Sequence, residues 1–142
     1  MSSDLQIHTF IRAPREAVWA AITEADRVAA FHPAGMQAKA LPGGGIALHR
    51  PDDGSVFIRE PLLSQEVGTR LELGFEPAWA DVPGGSKVVI ELSDDALGTK
   101  VTLSQTNCAA LGIGDNWDRF LASLKSWLET GESLYRAPES AA

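Results

Sequence analysis

Residues 115–131 read DNWDRFLASLKSWLETG, and this stretch decides the fold. Trp117, Phe120, Leu121, Leu124, Trp127 and Leu128 fall at i, i+3, i+4, i+7, i+10 and i+11. That spacing draws one apolar stripe along three turns of helix. Arg119, Ser123, Lys125 and Glu129 are assigned to the opposite face. Asp115 is a suitable N-cap with Asp118 three residues on, and Gly131 can end the helix. A long helix with a single apolar stripe has to lie against another apolar layer.

That layer is found upstream. Val101 and Leu103 alternate with Lys100, Thr102 and Ser104, and Val88, Ile90 and Leu92 alternate before them. Leu71, Leu73 and Phe75 repeat the pattern over 70–76. Further strands are expected near 35–41, 46–50 and 55–65. Pro42-Gly43-Gly44-Gly45, Asp52-Asp53-Gly54, Val67-Gly68-Thr69, Pro83-Gly84-Gly85-Ser86 and Asp94–Gly98 separate the strands. One-sided alternation at this turn spacing is the mark of an antiparallel meander with one buried face. The Trp79-containing segment 76–83 is longer than a tight hairpin needs.

Ahead of the meander, residues 5–12 read as a first strand that Ala13-Pro14 stops. Proline suits the first turn of a helix, and Val18, Trp19 and Ile22 place a short amphipathic helix near 14–22. Thr23-Glu24-Ala25-Asp26 resembles a capping box for a second short helix running to about Phe31. His32 precedes Pro33, which disfavours further helix. The expected architecture is α+β: two short helices after the first strand, then strands, then the long C-terminal helix. It forms one domain over 1–142, with 131–142 a frayed tail.

The totals narrow the function. With 142 residues and 44% hydrophobic composition the chain can build a core without a disulfide or metal staple. Cys108 is the only cysteine, which fits a reducing, cytoplasmic setting. The first residues show no secretory signal and no window approaches a membrane span, so no membrane partner is expected. A net charge of −7, from 19 acids against 12 bases, repels phosphate backbones and argues against nucleic acid. Its ordinary consequence is solubility.

Four phrases carry a family resemblance: IRAPREAVWAAITEADRVAAF at 11–31, VGTRLELGF at 67–75, SKVVIELSDDALGTKVTLSQTN at 86–107 and NWDRFLASLKSWLETG at 116–131. In this order the chain resembles the SRPBCC (START-like) superfamily, and within it the branch named after the activator of Hsp90 ATPase. The resemblance implies a helix-grip fold, with a curved antiparallel sheet of about six to seven strands wrapped on the C-terminal helix. It also implies an apolar cavity between them. Two places depart from the branch. Phe31-His32 stands where paired tryptophans are common, and Pro61 interrupts the strand at 57–65. Both border the pocket in the family.

His8, His32 and His49 lie on separate elements with no His-x-x-x-His and no cysteine pair, so no metal is expected. Cys108 reads as a small semi-buried residue. Gly43-Gly44-Gly45 opens no helix and reads as a hairpin loop rather than a phosphate cradle. No cofactor and no catalytic residue is assigned. The implied pocket makes Phe31, Met36, Phe75, Trp79, Ile90, Leu103, Trp117, Phe120, Leu121 and Leu124 the candidate ligand contacts. Trp79 and Phe31 are placed at its mouth. The leading expectation is therefore binding of a small apolar or amphipathic molecule. A cyclase, hydratase or isomerase using Arg59, Glu60 or His32 is the alternative, and requires at least two inward polar groups on one void. The facing of Arg59 and Glu60 is ambiguous across Pro61, whereas Glu91 counts outward. A protein-interaction role with a chaperone partner, and a homodimer, stay open.

Overall fold

The computed structural model describes residues 4–135. In chain order these form β1 (Leu5–Ile11), α1 (Arg15–Thr23), α2 (Ala25–Phe31), β2 (Gln37–Ala40), β3 (Gly45–His49), β4 (Val56–Glu66), β5 (Arg70–Gly74) and β6 (Glu76–Pro77). Then come β7 (Lys87–Asp95), β8 (Gly98–Thr106), a one-turn 3-10 helix (Ala109–Leu111) and α3 (Asn116–Thr130). All strand pairs are antiparallel. The spatial order is β1-β8-β7-β5-β4-β3-β2, with β6 pairing to β4 off that path. This is the α+β helix-grip arrangement that the family resemblance implies. No helix among the described residues is long and apolar enough to cross a membrane.

Period-2 alternation does the positioning. Val88, Ile90, Leu92, Val101 and Leu103 are buried, and Glu91 is exposed. The α3 stripe meets this face through Trp117, Phe120, Leu121 and Leu124, all buried. The far end of α3 is fastened to β1. Lys125 Nζ donates to the Phe10 carbonyl at 2.5 Å, and the Arg12 N–H donates to Glu129 Oε2 at 2.8 Å. Gly131 ends the helix at φ 83°, its N–H bonded to the Trp127 carbonyl at 2.9 Å.

Asp115 occupies the N-cap of α3 as expected, though its side chain makes no cap bond. Two local expectations are corrected. Thr23 belongs to α1 and its hydroxyl donates back to the Trp19 carbonyl at 2.7 Å, so Glu24 becomes the N-cap of α2 and no capping box forms. Ser123, assigned to the solvent face, is fully buried. Its hydroxyl donates to the Phe31 carbonyl at 2.5 Å and accepts the Leu134 N–H at 2.9 Å. Ser123 thus clasps the end of α2 to α3. It also holds the chain just after the helix, where the frayed tail was expected to begin. Residues 136–142 of that segment lie outside the described residues.

β4 is the strand that shapes the molecule. Its first half pairs with β3 and its second half with β5, with a register shift between Leu62 and Ser64. Pro61 precedes the shift and has no N–H for the ladder, which is where a strand tolerates proline. Gly45 lies opposite Pro61 at φ 87°, and a Cβ there would sit 2.2 Å from the Glu60 carbonyl oxygen. Only glycine permits this approach.

Candidate functional site

The facing of β4 decides the chemistry. Ile58 pairs with Leu48 and Glu60 pairs with Ile46, and all four side chains are buried on the helix side of the sheet. Arg59, between them, points outward and pairs with Glu76 at 2.7 Å. Arg59 is thereby removed from the set of groups that could act in the interior.

Between this part of the sheet, the end of α2 and the start of α3 lies a cavity of about 410 Å³. The sheet contributes Leu48, Phe57, Ile58, Glu60 and Phe75 to its wall. Val28, His32, Pro33, Ala34 and Met36 come from α2 and the turn after it, and Ile113, Asn116, Trp117, Arg119 and Phe120 from the α3 side. Ala34, Asn116 and Arg119 are solvent-exposed, so the cavity reaches the surface at that end. A volume of several hundred Å³ with mostly apolar walls and few polar groups is the usual form of a small-molecule site.

Glu60 is the unusual wall residue. It is 5% exposed. No donor among the described residues hydrogen-bonds its carboxyl, and burial alone pushes its pKa up to about 7. A carboxylate taken from water without a partner is costly, so the group holds its proton to higher pH. His32 is shifted the opposite way for the same reason. Burial lowers its pKa to about 4. Its Nδ1 accepts the Ala34 N–H at 3.1 Å, which leaves Nε2 to carry the proton of the neutral ring. Its ring meets the Phe120 ring at a centroid distance of 6.2 Å.

Trp117 is held by a buried relay. Its indole N–H donates to Gln105 Oε1 at 2.6 Å, Gln105 Nε2 donates to Ser86 Oγ at 3.0 Å, and the Ser86 hydroxyl donates to the Thr106 carbonyl at 2.6 Å. With its polar edge satisfied on the sheet, the Trp117 ring packs against Phe75 and Phe120, at 6.1 Å and 5.3 Å between centroids. Gln105 continues the inward parity of Val101 and Leu103, and counting two residues further along β8 would have found it.

Of the ten apolar residues named from sequence, Met36, Phe75, Trp117 and Phe120 are brought together on the cavity wall. Ile90, Leu103, Leu121 and Leu124 are buried in the core and do not line it. Phe31 is also core, stacked between Phe120 and Trp127 at 5.2 Å and 5.7 Å. Trp79 stands behind the wall, 4.8 Å from Phe57 between ring centroids, its indole N–H donating to the Leu111 carbonyl at 3.0 Å. The other candidates lie elsewhere. His49 Nδ1 contacts the Gly54 carbonyl, and His8 packs on Phe10. Cys108 is buried beneath Gln105, with burial and Asp4 pushing its thiol pKa up.

The sequence model of the family described as activator of Hsp90 ATPase homolog 1-like protein matches residues 12–129. The chain belongs to that family. Solved structures of similar fold include protein CV1439 from Chromobacterium violaceum, with TM-score 0.71, 21% identity, and coverage of 88% of this chain and 96% of that one. The Aha1 dimer from Colwellia psychrerythraea gives TM-score 0.71 and 19% identity over 89% and 96% of the two chains. DynU16, a protein of the dynemicin biosynthetic locus, gives TM-score 0.73 and 21% identity, covering 93% of this chain but 49% of its own. No curated protein sequence matches the chain. The family's fold is that of a ligand-binding type of domain.

Proposed function

We propose that the protein binds a small, largely apolar molecule in the 410 Å³ cavity between β4, α2 and α3. The observation that carries this reading is the wall itself: aromatic and aliphatic side chains surround one buried carboxyl that receives no donor from the described residues. Filling such a space with side chains would have been the simpler way to make a stable core. The test is native mass spectrometry with a panel of small aromatic alcohols and hydrocarbons. A one-to-one adduct in the wild type, lost in Met36→Trp, supports the reading. No adduct at millimolar ligand, or one that survives Met36→Trp unchanged, contradicts it.

A catalytic reading has one specific observation in its favour. Glu60 and His32, two inward polar groups, share the same void. A carboxyl titrating near neutrality and a neutral imidazole N–H are the groups that can move a proton beside a carbonyl. Exchange of solvent deuterium into a small ketone, abolished by Glu60→Gln, would establish it. Exchange at the rate of buffer alone would end it. The Colwellia relative forms a dimer. A dimer of this chain is proposed on that likeness alone, and a monomer mass by light scattering would refute it.

A further inference from the structure

The charged surface, the second cavity and the buried polar groups differ in what they can recognise. The second cavity, of about 220 Å³ beside Ile22, Thr23, Leu62, Gln65, Leu71 and Leu73, has no charged side chain in its wall. Cys108 is buried and its pKa is raised, which suits a packed thiol rather than a reactive one. Glu60 is different. It combines near-complete burial, a facing cavity and an unmet demand for a donor.

We propose that the cavity's ligand is an organic cation, a small aromatic or aliphatic body carrying one ammonium group, and that Glu60 binds that group. This rests on the reading of the cavity as a ligand site and names the chemistry it selects. The charged and titratable groups around Glu60 are few. Arg59, its neighbour on β4, points outward onto Glu76. From the end of α2 comes His32, whose half-buried ring favours the neutral form. From α3 comes Arg119, exposed at the mouth. Between β5 and β6 the wall offers Phe75, and from β3 Leu48, neither of whose side chains can donate. No cation among the described residues neutralises Glu60 where it sits, and loss of water is the sole cause acting on its pKa. A ligand ammonium would supply both the missing charge and the missing donors. Charge-assisted hydrogen bonds of this kind are about twice as strong as neutral ones. The aromatic rings of Phe57, Phe75, Trp117 and Phe120 on the same wall also favour a cation over an anion through their electron-rich faces.

The test uses four probes of nearly equal shape: 2-phenylethylamine, 2-phenylethanol, ethylbenzene and 3-phenylpropanoate. Each is titrated into the intact protein and into Glu60→Gln, at pH 8.0 and pH 5.5, by calorimetry or ligand-detected NMR. At pH 8.0 the amine is expected to bind at least about tenfold tighter than the alcohol. The preference should shrink by about tenfold at pH 5.5, where Glu60 is protonated, and vanish in Glu60→Gln. The wild-type pH comparison stands even if the variant folds poorly. Equal affinity of amine, alcohol and hydrocarbon at pH 8.0 overturns the cation proposal while leaving the cavity as a binding site. Tighter binding of the carboxylate, drawn to Arg119, also overturns it. Failure of all four, ethylbenzene included, defeats the binding reading itself.

Discussion

At the scale of single residues, the two groups on the cavity wall pull stability in opposite directions with pH. Glu60 has a pKa raised from 4.5 to about 7 in the folded protein, so its neutral form is the one the fold accommodates. Its contribution is fully present below pH 4.5 and is lost as pH rises through 7. The size is about 3 kcal/mol, from a shift of roughly two and a half pKa units. His32, lowered from 6.5 to about 4, contributes stability above pH 6.5 that is lost as pH falls through 4. Between pH 4.5 and 6.5 the two trends oppose each other, and the wild type is expected to show a flattened profile there. Glu60→Gln unmasks them. Its stability relative to wild type is expected to rise by about 3 kcal/mol between pH 4 and pH 8, measured by urea denaturation at both. A difference that does not change with pH would mean that Glu60 is solvated or paired.

At the scale of elements, β4 is where the chain's local signals conflict. Alternation assigns Val88–Leu92 and Val101–Leu103 to the core without ambiguity, because nothing interrupts the period. Pro61 breaks the count one residue after Glu60, and the strand then changes partner from β3 to β5 through a register shift. The inward facing of Glu60 is legible only once Ile58 is seen opposite Leu48. Ser123 was hidden for a related reason. Helical spacing alone places it at the edge of the apolar stripe, and what buries it is the chain on either side, at Phe31 and Leu134. The close approach at Gly45 yields a prediction for the hairpin. Gly45→Ala drives a methyl to 2.2 Å from the Glu60 carbonyl oxygen and also strains a backbone at φ 87°. It should cost about 3 kcal/mol or more. Gly43→Ala, at φ 86° with nothing within 4 Å, should cost only about 1 kcal/mol from the backbone term. Thermal melts of the two variants compare them directly, and equal losses would show that the β3–β4 contact yields freely.

At the scale of the whole molecule, the sheet and the C-terminal helix were readable because periodicity reports burial. The family resemblance then supplied the idea of a cavity. What the pattern does not report is which buried side chains touch empty space. Ile90 and Leu103 alternate inward as faithfully as Phe75, yet they meet other side chains whereas Phe75 meets the void. The division depends on how far apart β4 and α3 stand, a tertiary distance that no local pattern reports. Trp79, a large aromatic in a loop, looks like a mouth residue in sequence and proves to brace Phe57 from behind. The space bounded by Met36, Trp117 and Phe120 is the proposed ligand site. The most direct measurement is an NMR titration of the protein with 2-phenylethylamine and ethylbenzene, following the Met36 methyl, the Ile113 methyls and the Trp117 indole N–H. The account predicts saturable shifts at these three positions, fitting one site, while the Trp19 indole on α1 stays in place. Shifts confined to exposed residues, or none at Met36 and Trp117, would contradict it.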